Sequence, residues 1–406
     1  MKILYVATVV KTHIMEFHIP YLKVLKEMGW ETAVAARNDY DDPDECAIPY
    51  CDTFYDIPFE RNPFKLDNMK AYRQLKKVID EGDYDIIHCH TPVGAMLTRL
   101  AATNARKKGS KVFYTAHGFH FYKGASLINW LAYYPAERWL ARMTDVLITI
   151  TNEDYKRAQE FKAGTVEYIP GIGVDLDRFK KGSSERAVAL RSELGIPKNA
   201  KVFLSVGEVN ANKNHRVVIQ ALPSFPDAWY VICGCGPLID EHRKLAESLG
   251  VSDRVILAGY RTDVIDFYSM ADVFVFPSFR EGLPVALMEA MSTGLPCVAA
   301  RNRGTDDLLE GSRLLFSPDD VNELREKMQI ATTTDCSDEI SKNSAHLQKY
   351  DLKNTLDLVM NFCLRETGIY PTAQKESAVD KKRTQENYRG KKEALYKPIG
   401  NVATYK

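Results

Sequence analysis

The chain has 406 residues, 45% of them apolar and 27% charged, with 54 basic residues balanced by 54 acidic ones. That length exceeds one ordinary hydrophobic core and predicts two domains of a globular protein. Zero net charge gives no global field for nucleic acid, so any charge argument has to be local. The opening "MKILYVATVV" is predicted to be a first β-strand; it is too short for a signal peptide, and no small-residue cleavage site follows it. Short apolar runs then alternate with helix-period stretches. Strands are predicted at 2–7, 31–36, 52–57, 84–89, 112–117 and 145–150, and helices at 14–28, 65–80, 93–107, 126–142 and 152–162. Such alternation predicts a parallel sheet with helices on both faces. "VEYIPGIGVDLDRF" adds a strand and a Gly-Pro turn, and the polar stretch 180–198 is expected to be the interdomain linker.

The pattern restarts at "KVFLSVGEVN". Strands are predicted at 201–206, 228–233, 254–257, 272–276, 296–299 and 313–316, and helices at 212–222, 237–249, 262–270, 284–293 and 319–331. The class is therefore α/β, with two Rossmann-like doubly wound domains expected to face each other across a cleft. The expected division is a first domain over 1–170 and a second over 171–350. A helix over 351–370 should return to the first domain, and a polar tail over 371–406 is expected to be disordered. The most apolar longer stretch, 127–150, is interrupted by Pro135, Glu137, Arg138, Arg142 and Asp145, so it should not span a bilayer. A cytoplasmic location is expected, with only peripheral contact at the inner face of the membrane.

Eight cysteines fit a reducing compartment. The one tight pair, Cys233 and Cys235, lacks both a second pair and zinc spacing, and no metal site is expected.

Four segments can carry chemistry. In "REGLPVALMEA", Pro284 suits the first helical position, leaving first-turn N–H groups to face an anion. Glu281 precedes them, and Glu289 lies roughly 7–8 Å further along the axis at 1.5 Å per residue. A phosphate at the helix tip would have a carboxylate on each side, and carboxylates accept from sugar hydroxyls. The alternative is a helix-dipole carboxylate beside a solvated glutamate. In "SVGEVNANKNH", Gly207 ends a strand where backbone must come close to something, and Lys213 can reach a phosphate; alternatively Asn212 caps a helix and the lysine is merely exposed. The glycines of "CGCGP", Gly234 and Gly236, are expected to be architectural. In "YTAHGFHFYKG", His117 ends a strand of the first domain and is either a satisfied core residue or a ligand to substrate hydroxyls. His13 is expected in the first strand-to-helix loop, while His18 is expected to be structural.

Together these segments resemble the family-4 glycosyltransferases of the GT-B fold, over about residues 1–367. "EGLPVALMEA" is similar to that family's Glu-x7-Glu motif, "VGEVNANKN" to its phosphate loop with Lys213, "TAHG" to its first-domain histidine segment, and "YIPGIGVDLDRF" to its interdomain turn. The opening and "AHGFHFYKG" most resemble bacterial capsule and exopolysaccharide transferases. The resemblance implies retaining, metal-independent transfer of a hexose or N-acetylhexosamine from a nucleotide-diphosphate sugar, UDP-linked at the family level, to a polyprenyl-diphosphate-linked saccharide. It also makes the first domain acceptor-binding and the second donor-binding. No cofactor is implied beyond the donor itself.

On this resemblance Glu281 holds donor-sugar hydroxyls and Glu289 the ribose. Lys213 and the amides of Leu283, Pro284 and Val285, Pro284 itself having no N–H, mark the place of the departing diphosphate, with Gly207, Glu208 and Gly282 beside it. Arg261, in "GYRTDV", lies at the base. His117 orients the donor sugar, and His13, Gly118, Asn210 and Arg280 complete the substrate contacts. Two departures stand out. Glu208 occupies the position where the family often has an arginine, so a second phosphate cation would have to come from Arg280 or Arg303. Thr8, Val9 and Val10 replace a frequent glycine pair, a role His13 could fill in part.

A membrane contact is suggested by basic runs at Arg61, Lys65, Lys70, Arg73, Lys76 and Lys77 and at Arg99, Arg106, Lys107, Lys108 and Lys111, near an aromatic region from Phe119 to Trp139. The alternative is solvated helix faces and a packed aromatic core. A sugar-nucleotide epimerase of the same fold is the competing activity. A nicotinamide dehydrogenase is disfavoured, because no Gly-x-Gly-x-x-Gly follows the first strand.

Overall fold

The computed structural model describes residues 1–179 and 183–368; the expected disordered tail lies outside the described residues. The chain divides into two units. Of the described residues, one comprises Met1–Ile150, Asp154–Ile169 and 353–368; the other comprises Thr151–Glu153 and 170–352 except the three undescribed positions.

The first unit is built on a seven-stranded sheet ordered β3-β2-β1-β4-β5-β6-β7. Its strands are β1 (Lys2–Val9), β2 (Glu31–Arg37), β3 (Thr53–Asp56), β4 (Ile86–Cys89), β5 (Lys111–Ala116), β6 (Val146–Thr149) and β7 (Thr165–Tyr168). Every pairing is parallel. Parallel strands are covered on both faces and so read as near-continuous apolar runs; β1, β4 and β6 are buried along almost their whole length. Strand order reverses between β1 and β4, which makes their carboxyl ends the switch point where doubly wound sheets bind ligands.

The second unit holds six parallel strands ordered β10-β9-β8-β11-β12-β13. These are β8 (Lys201–Val206), β9 (Ala228–Cys233), β10 (Val255–Gly259), β11 (Val273–Phe276), β12 (Cys297–Ala300) and β13 (Leu315–Phe316). Side chains alternate faces along each strand. Leu204, Val231 and Phe274 enter one apolar layer, and Phe203, Tyr230 and Val275 the other. The switch point lies between β8 and β11.

Several expectations need correction. The first helix, predicted over 14–28, begins with a π-turn over Val10–Ile14 and becomes regular only at Ile19–Glu27. The expected linker over 180–198 contains a helix, Ser184–Glu193, that belongs to the second unit. Ser183 accepts from the Arg186 N–H at its start, Ala187 and Leu190 enter the core, and Arg191 donates to the Met270 carbonyl and to Asp272. Its three-residue apolar spacing was hidden by the surrounding charges. The chain crosses between units earlier, at Ile169–Pro170. The helix Leu352–Thr367 packs in the first unit, where Arg365 meets Glu167 at 2.8 Å and Lys111 lies 3.7 Å from Glu366.

The second basic run is largely neutralised. Arg99 is fully buried and forms a two-pronged pair with Glu137 at 2.8 and 3.2 Å, over the face of Tyr114, and Arg106 is paired with Asp145. The aromatic region is mostly core: Phe119 and Phe121 are buried against Phe161, with Trp130 and Tyr134 packed on them. Removing one member of a buried ion pair leaves the other charge without compensation. Glu137→Ala should therefore destabilise the first unit by about 3–5 kcal/mol, read as a lower urea midpoint; an unchanged midpoint would contradict the pairing.

Candidate active site

The predicted donor-side residues gather at the switch point of the second sheet. Gly207 directly follows β8 and has φ 153°, a backbone conformation that side chains rarely adopt. A Cβ there would lie 3.2 Å from the Lys213 Cε, and a Cβ on Gly234 would fall 1.9 Å from the Gly207 carbonyl oxygen. The glycines of "CGCGP" are thus architectural, allowing the loops after β8 and β9 to touch backbone to backbone.

The loop from Gly207 to Asn214 is held from within. The Lys213 N–H donates to the Asn210 Oδ1 at 3.0 Å, and the Asn210 N–H donates to the Glu208 carbonyl. The helix predicted from 212 begins instead at His215, after Asn214 in a left-handed conformation. Asn212 does not cap it. Its side chain donates to the Arg280 carbonyl at 2.9 Å, and its own carbonyl accepts from the Phe279 N–H. Glu208 is exposed.

The partner loop follows β11. The Ser278 carbonyl accepts from Asn302, the Glu281 carbonyl accepts from the Arg303 Nε at 3.1 Å, and a Cβ on Gly304 would lie 2.2 Å from the Gly282 carbonyl oxygen. So pinned, the loop places the Glu281 carboxylate 2.7 Å from the Lys213 ammonium, which also lies over the Phe276 ring. Pro284 proves to be the N-cap rather than the first helical residue, and the helix runs Val285–Ser292 with no side chain capping its first turn. A proline has no hydroxyl or carboxylate to offer there, so first-turn N–H groups remain available to an anion. Leu283 packs against Gly171. Further along, Glu289 accepts from the Tyr268 hydroxyl at 2.8 Å. Burial, then Glu289, push the Tyr268 phenol well up, keeping it a donor.

Of the two candidate second cations, Arg303 reaches the motif loop, whereas Arg280 is exposed. Arg261 is held by both oxygens of Asp263, at 2.8 and 2.6 Å. A groove of about 610 Å³ meets the predicted set only at Asn210, so it is not the place where Lys213 and Glu281 meet.

In the first unit, His117 directly follows β5 and its Nε2 is 3.2 Å from the His90 Nδ1. His13 lies on the π-turn after β1, with ring centroids 5.1 Å from His117 and 5.0 Å from His18. Gly118 follows with φ 141°. His88 and His90 escaped sequence reasoning, although "HCH" at the end of a strand puts two imidazoles on one face.

Comparisons with known proteins identify the family and the fold. Residues 2–152 match the "Glycosyl transferase 4-like" family model, and residues 188–346 match "Glycosyl transferases group 1". EpsD of Bacillus subtilis (strain 168), named as a glycosyltransferase, is 44% identical over 314 residues, covering 76% of this chain and 81% of that one. An Escherichia coli protein named UDP-Gal:alpha-D-GlcNAc-diphosphoundecaprenol alpha-1,3-galactosyltransferase is 31% identical over 264 residues, 62% of this chain and 66% of that one. HepE of Anabaena, solved with UDP and glucose, shares the fold at a TM-score of 0.75 and 20% identity, over 90% of this chain and 100% of that one. The lipopolysaccharide-biosynthesis transferase WaaG does so at a TM-score of 0.68 and 17% identity, over 89% and 99%. The fold and the family matches define a glycosyltransferase of the GT-B class. The chain belongs to the group 1, family-4-like glycosyltransferases.

Directly behind the Lys213 loop, His215 is buried, with its Nδ1 3.1 Å from the Tyr230 hydroxyl. Burial above all, then His242 and Lys213, lower its pKa to about 3. A histidine lowered below its unfolded value of about 6.5 stabilises the fold fully above that pH and progressively less as pH falls towards 3. The melting temperature should therefore drop between pH 6.5 and pH 4, and less so in His215→Gln; an equal drop in the two proteins would contradict the assignment.

Proposed function

We propose that the chain is a retaining transferase that moves a hexose or N-acetylhexosamine from a UDP-sugar to a polyprenyl-diphosphate-linked saccharide in capsule or exopolysaccharide assembly. The observation that carries this reading is the Lys213–Glu281 pair beside the uncapped start of helix Val285–Ser292. The pair puts a cation and a hydroxyl acceptor at one point, where a sugar is joined to a diphosphate. Lys213 and the helix N–H groups neutralise charge on the leaving diphosphate, and Arg303 adds a second cation. Glu281 accepts from donor-sugar hydroxyls, and Glu289, oriented by Tyr268, accepts from the ribose. In this reading the transfer step uses no metal, and the leaving phosphate takes the acceptor's proton. The name of the Escherichia coli relative supports the donor and acceptor classes. None of the relatives named above favours an epimerase.

Lys213→Ala should lower kcat at least about tenfold, equivalent to about 1.4 kcal/mol of transition-state stabilisation, in a UDP-release assay with lipid-linked acceptor. Retention of more than about a third of wild-type kcat would overturn the leaving-group role.

An anionic membrane surface is the proposed setting. Among the described residues no helix is long and apolar enough to cross a membrane. The first unit instead exposes Phe64, Leu66 and Met69 among Arg61, Lys65 and Lys70, and Leu127, Ile128, Leu131 and Trp139 on another helix. Apolar side chains interleaved with lysines suit shallow insertion among anionic headgroups. The full chain should cosediment with phosphatidylglycerol vesicles at low salt and lose most of that binding in Phe64→Asp/Leu66→Asp; no cosedimentation at low salt contradicts the membrane reading.

A further inference from the structure

The switch point of the first sheet holds an unusual group. His13 and His18 come from the segment after β1, His90 follows β4, and His117 follows β5. Each can offer one ring nitrogen such that all four nitrogens lie within 4.8 Å of one another. His18 and His90 are each only 2% exposed, and their ring centroids are 4.0 Å apart. The Nε2 atoms of His13, His18 and His90 are buried and have no hydrogen-bond partner.

A buried polar nitrogen without a partner is costly, and native structures rarely keep even one without a reason. Three in one cluster need a common explanation. Mutual hydrogen bonding cannot supply it, because the contact between His90 and His117 already uses the one good pairing in the group. Nor does protonation, which would crowd like charges among buried rings. Burial lowers His13 to about 3 and His117 to about 4, and carries His18 and His90 well down. Burial thus favours the neutral form of each ring, the form that carries a lone pair for a ligand.

The backbone around them is equally unusual. His13 sits on a π-turn, a form concentrated at functional sites. Thr91, next to His90, has φ 61°, and Gly118, next to His117, has φ 141°. The Thr91 conformation is held by its hydroxyl, which lies 2.7 Å from the Thr8 hydroxyl and accepts from the Thr8 N–H at 3.2 Å. Beneath the group, the His88 Nε2 is 2.8 Å from the Thr115 hydroxyl, and the Tyr5 ring stacks on His90. Three separate segments are bent to bring imidazoles to one point.

We propose that His13, His18, His90 and His117 form a binding site for a late first-row divalent cation, Zn2+ in the first instance. Four neutral imidazoles suit zinc and its neighbours, whereas magnesium and calcium take oxygen ligands. With metal–nitrogen bonds of about 2.0–2.1 Å, a tetrahedral site needs nitrogens roughly 3.3–3.4 Å apart. The His90 Nδ1–His117 Nε2 separation of 3.2 Å already matches such an edge, with His90 ligating through Nδ1, and rotation of the other rings by roughly an ångström closes the rest. The cation would satisfy the orphaned nitrogens of His13 and His18 and lock the loops after β1, β4 and β5. The inference does not rest on the Lys213–Glu281 reading; it replaces, for His13 and His117, the substrate contacts that the family resemblance implies, because a coordinated ring nitrogen cannot also meet a sugar hydroxyl.

The test uses the full chain, purified without a histidine tag and stripped with chelator. Cobalt(II) titration should give one equivalent of bound metal, with the intense visible band of tetrahedral coordination. One equivalent of Zn2+ should bleach that band and raise the melting temperature. His18→Gln and His90→Gln should lose the band, and His346→Gln, in the second unit, should keep it. Should either buried variant fail to fold by circular dichroism, His13→Asn decides, with Zn2+ affinity expected to fall at least about tenfold. The proposal is overturned if the wild-type chain binds no cobalt. It is also overturned if the folded His18 and His90 variants keep the full equivalent, if His13→Asn leaves affinity unchanged, or if His346→Gln loses the band as completely as they do.

Discussion

A half-buried lysine has to meet a negative charge, and in the second unit Lys213 meets Glu281. That requirement organises the surrounding structure. The lysine reaches the carboxylate only because Gly207 has no side chain in its path, and Gly207 can take its conformation only because Gly234 lets the next loop lie against its carbonyl. On the other side, the glutamate is delivered by a loop whose carbonyls are taken in turn by Asn302, Asn212 and Arg303. The pair is therefore a tie between the loops after β8 and β11, made where strand order reverses. A ligand with its own anionic group can replace the carboxylate as the lysine's partner without leaving either charge exposed to an apolar wall. In the proposed function the same contact is a structural tie in the free protein and a binding device for a diphosphate.

Both sheets could be read from the sequence because a strand in a parallel sheet is apolar on both faces, and such runs stand out between amphipathic helices. The helix boundaries were less legible, for reasons that can be named. The start of helix His215–Ala221 was displaced because Asn210 supplies a local hydrogen bond that competes with helix formation, and Asn214 adopts a left-handed turn that no neighbouring residue signals. Pro284 fits either the cap or the first helical position, and sequence alone does not separate them. The polar stretch after Phe179 reads as a linker by composition. Its helix is held by Arg191 contacts to Met270 and Asp272, residues roughly eighty positions away.

The candidate site shows the same division. The motif residues Gly207, Lys213, Glu281 and Glu289 were legible because spacing and order carry them. Their supports were not: Tyr268, Asn302 and the backbone contact of Arg303 come from tertiary packing. In the first unit, His13, His18 and His117 were weighed one at a time, and His88 and His90 were passed over within an apolar strand. Only the sheet order, with β1 beside β4 and β4 beside β5, brings them together. Charge showed the opposite failure. Arg99 and Arg106 read as part of a basic patch, yet each is consumed by a carboxylate nearly forty residues on.

The central claim is that the second unit recognises a diphosphate through Lys213 and the start of helix Val285–Ser292. Calorimetric titration of the wild-type chain and Lys213→Ala with UDP and with uridine tests it most directly. The account predicts that the wild type binds UDP at least about tenfold more tightly than uridine, a difference of about 1.4 kcal/mol, and that the difference shrinks in the variant. Equal affinity of the wild type for the two ligands would contradict it.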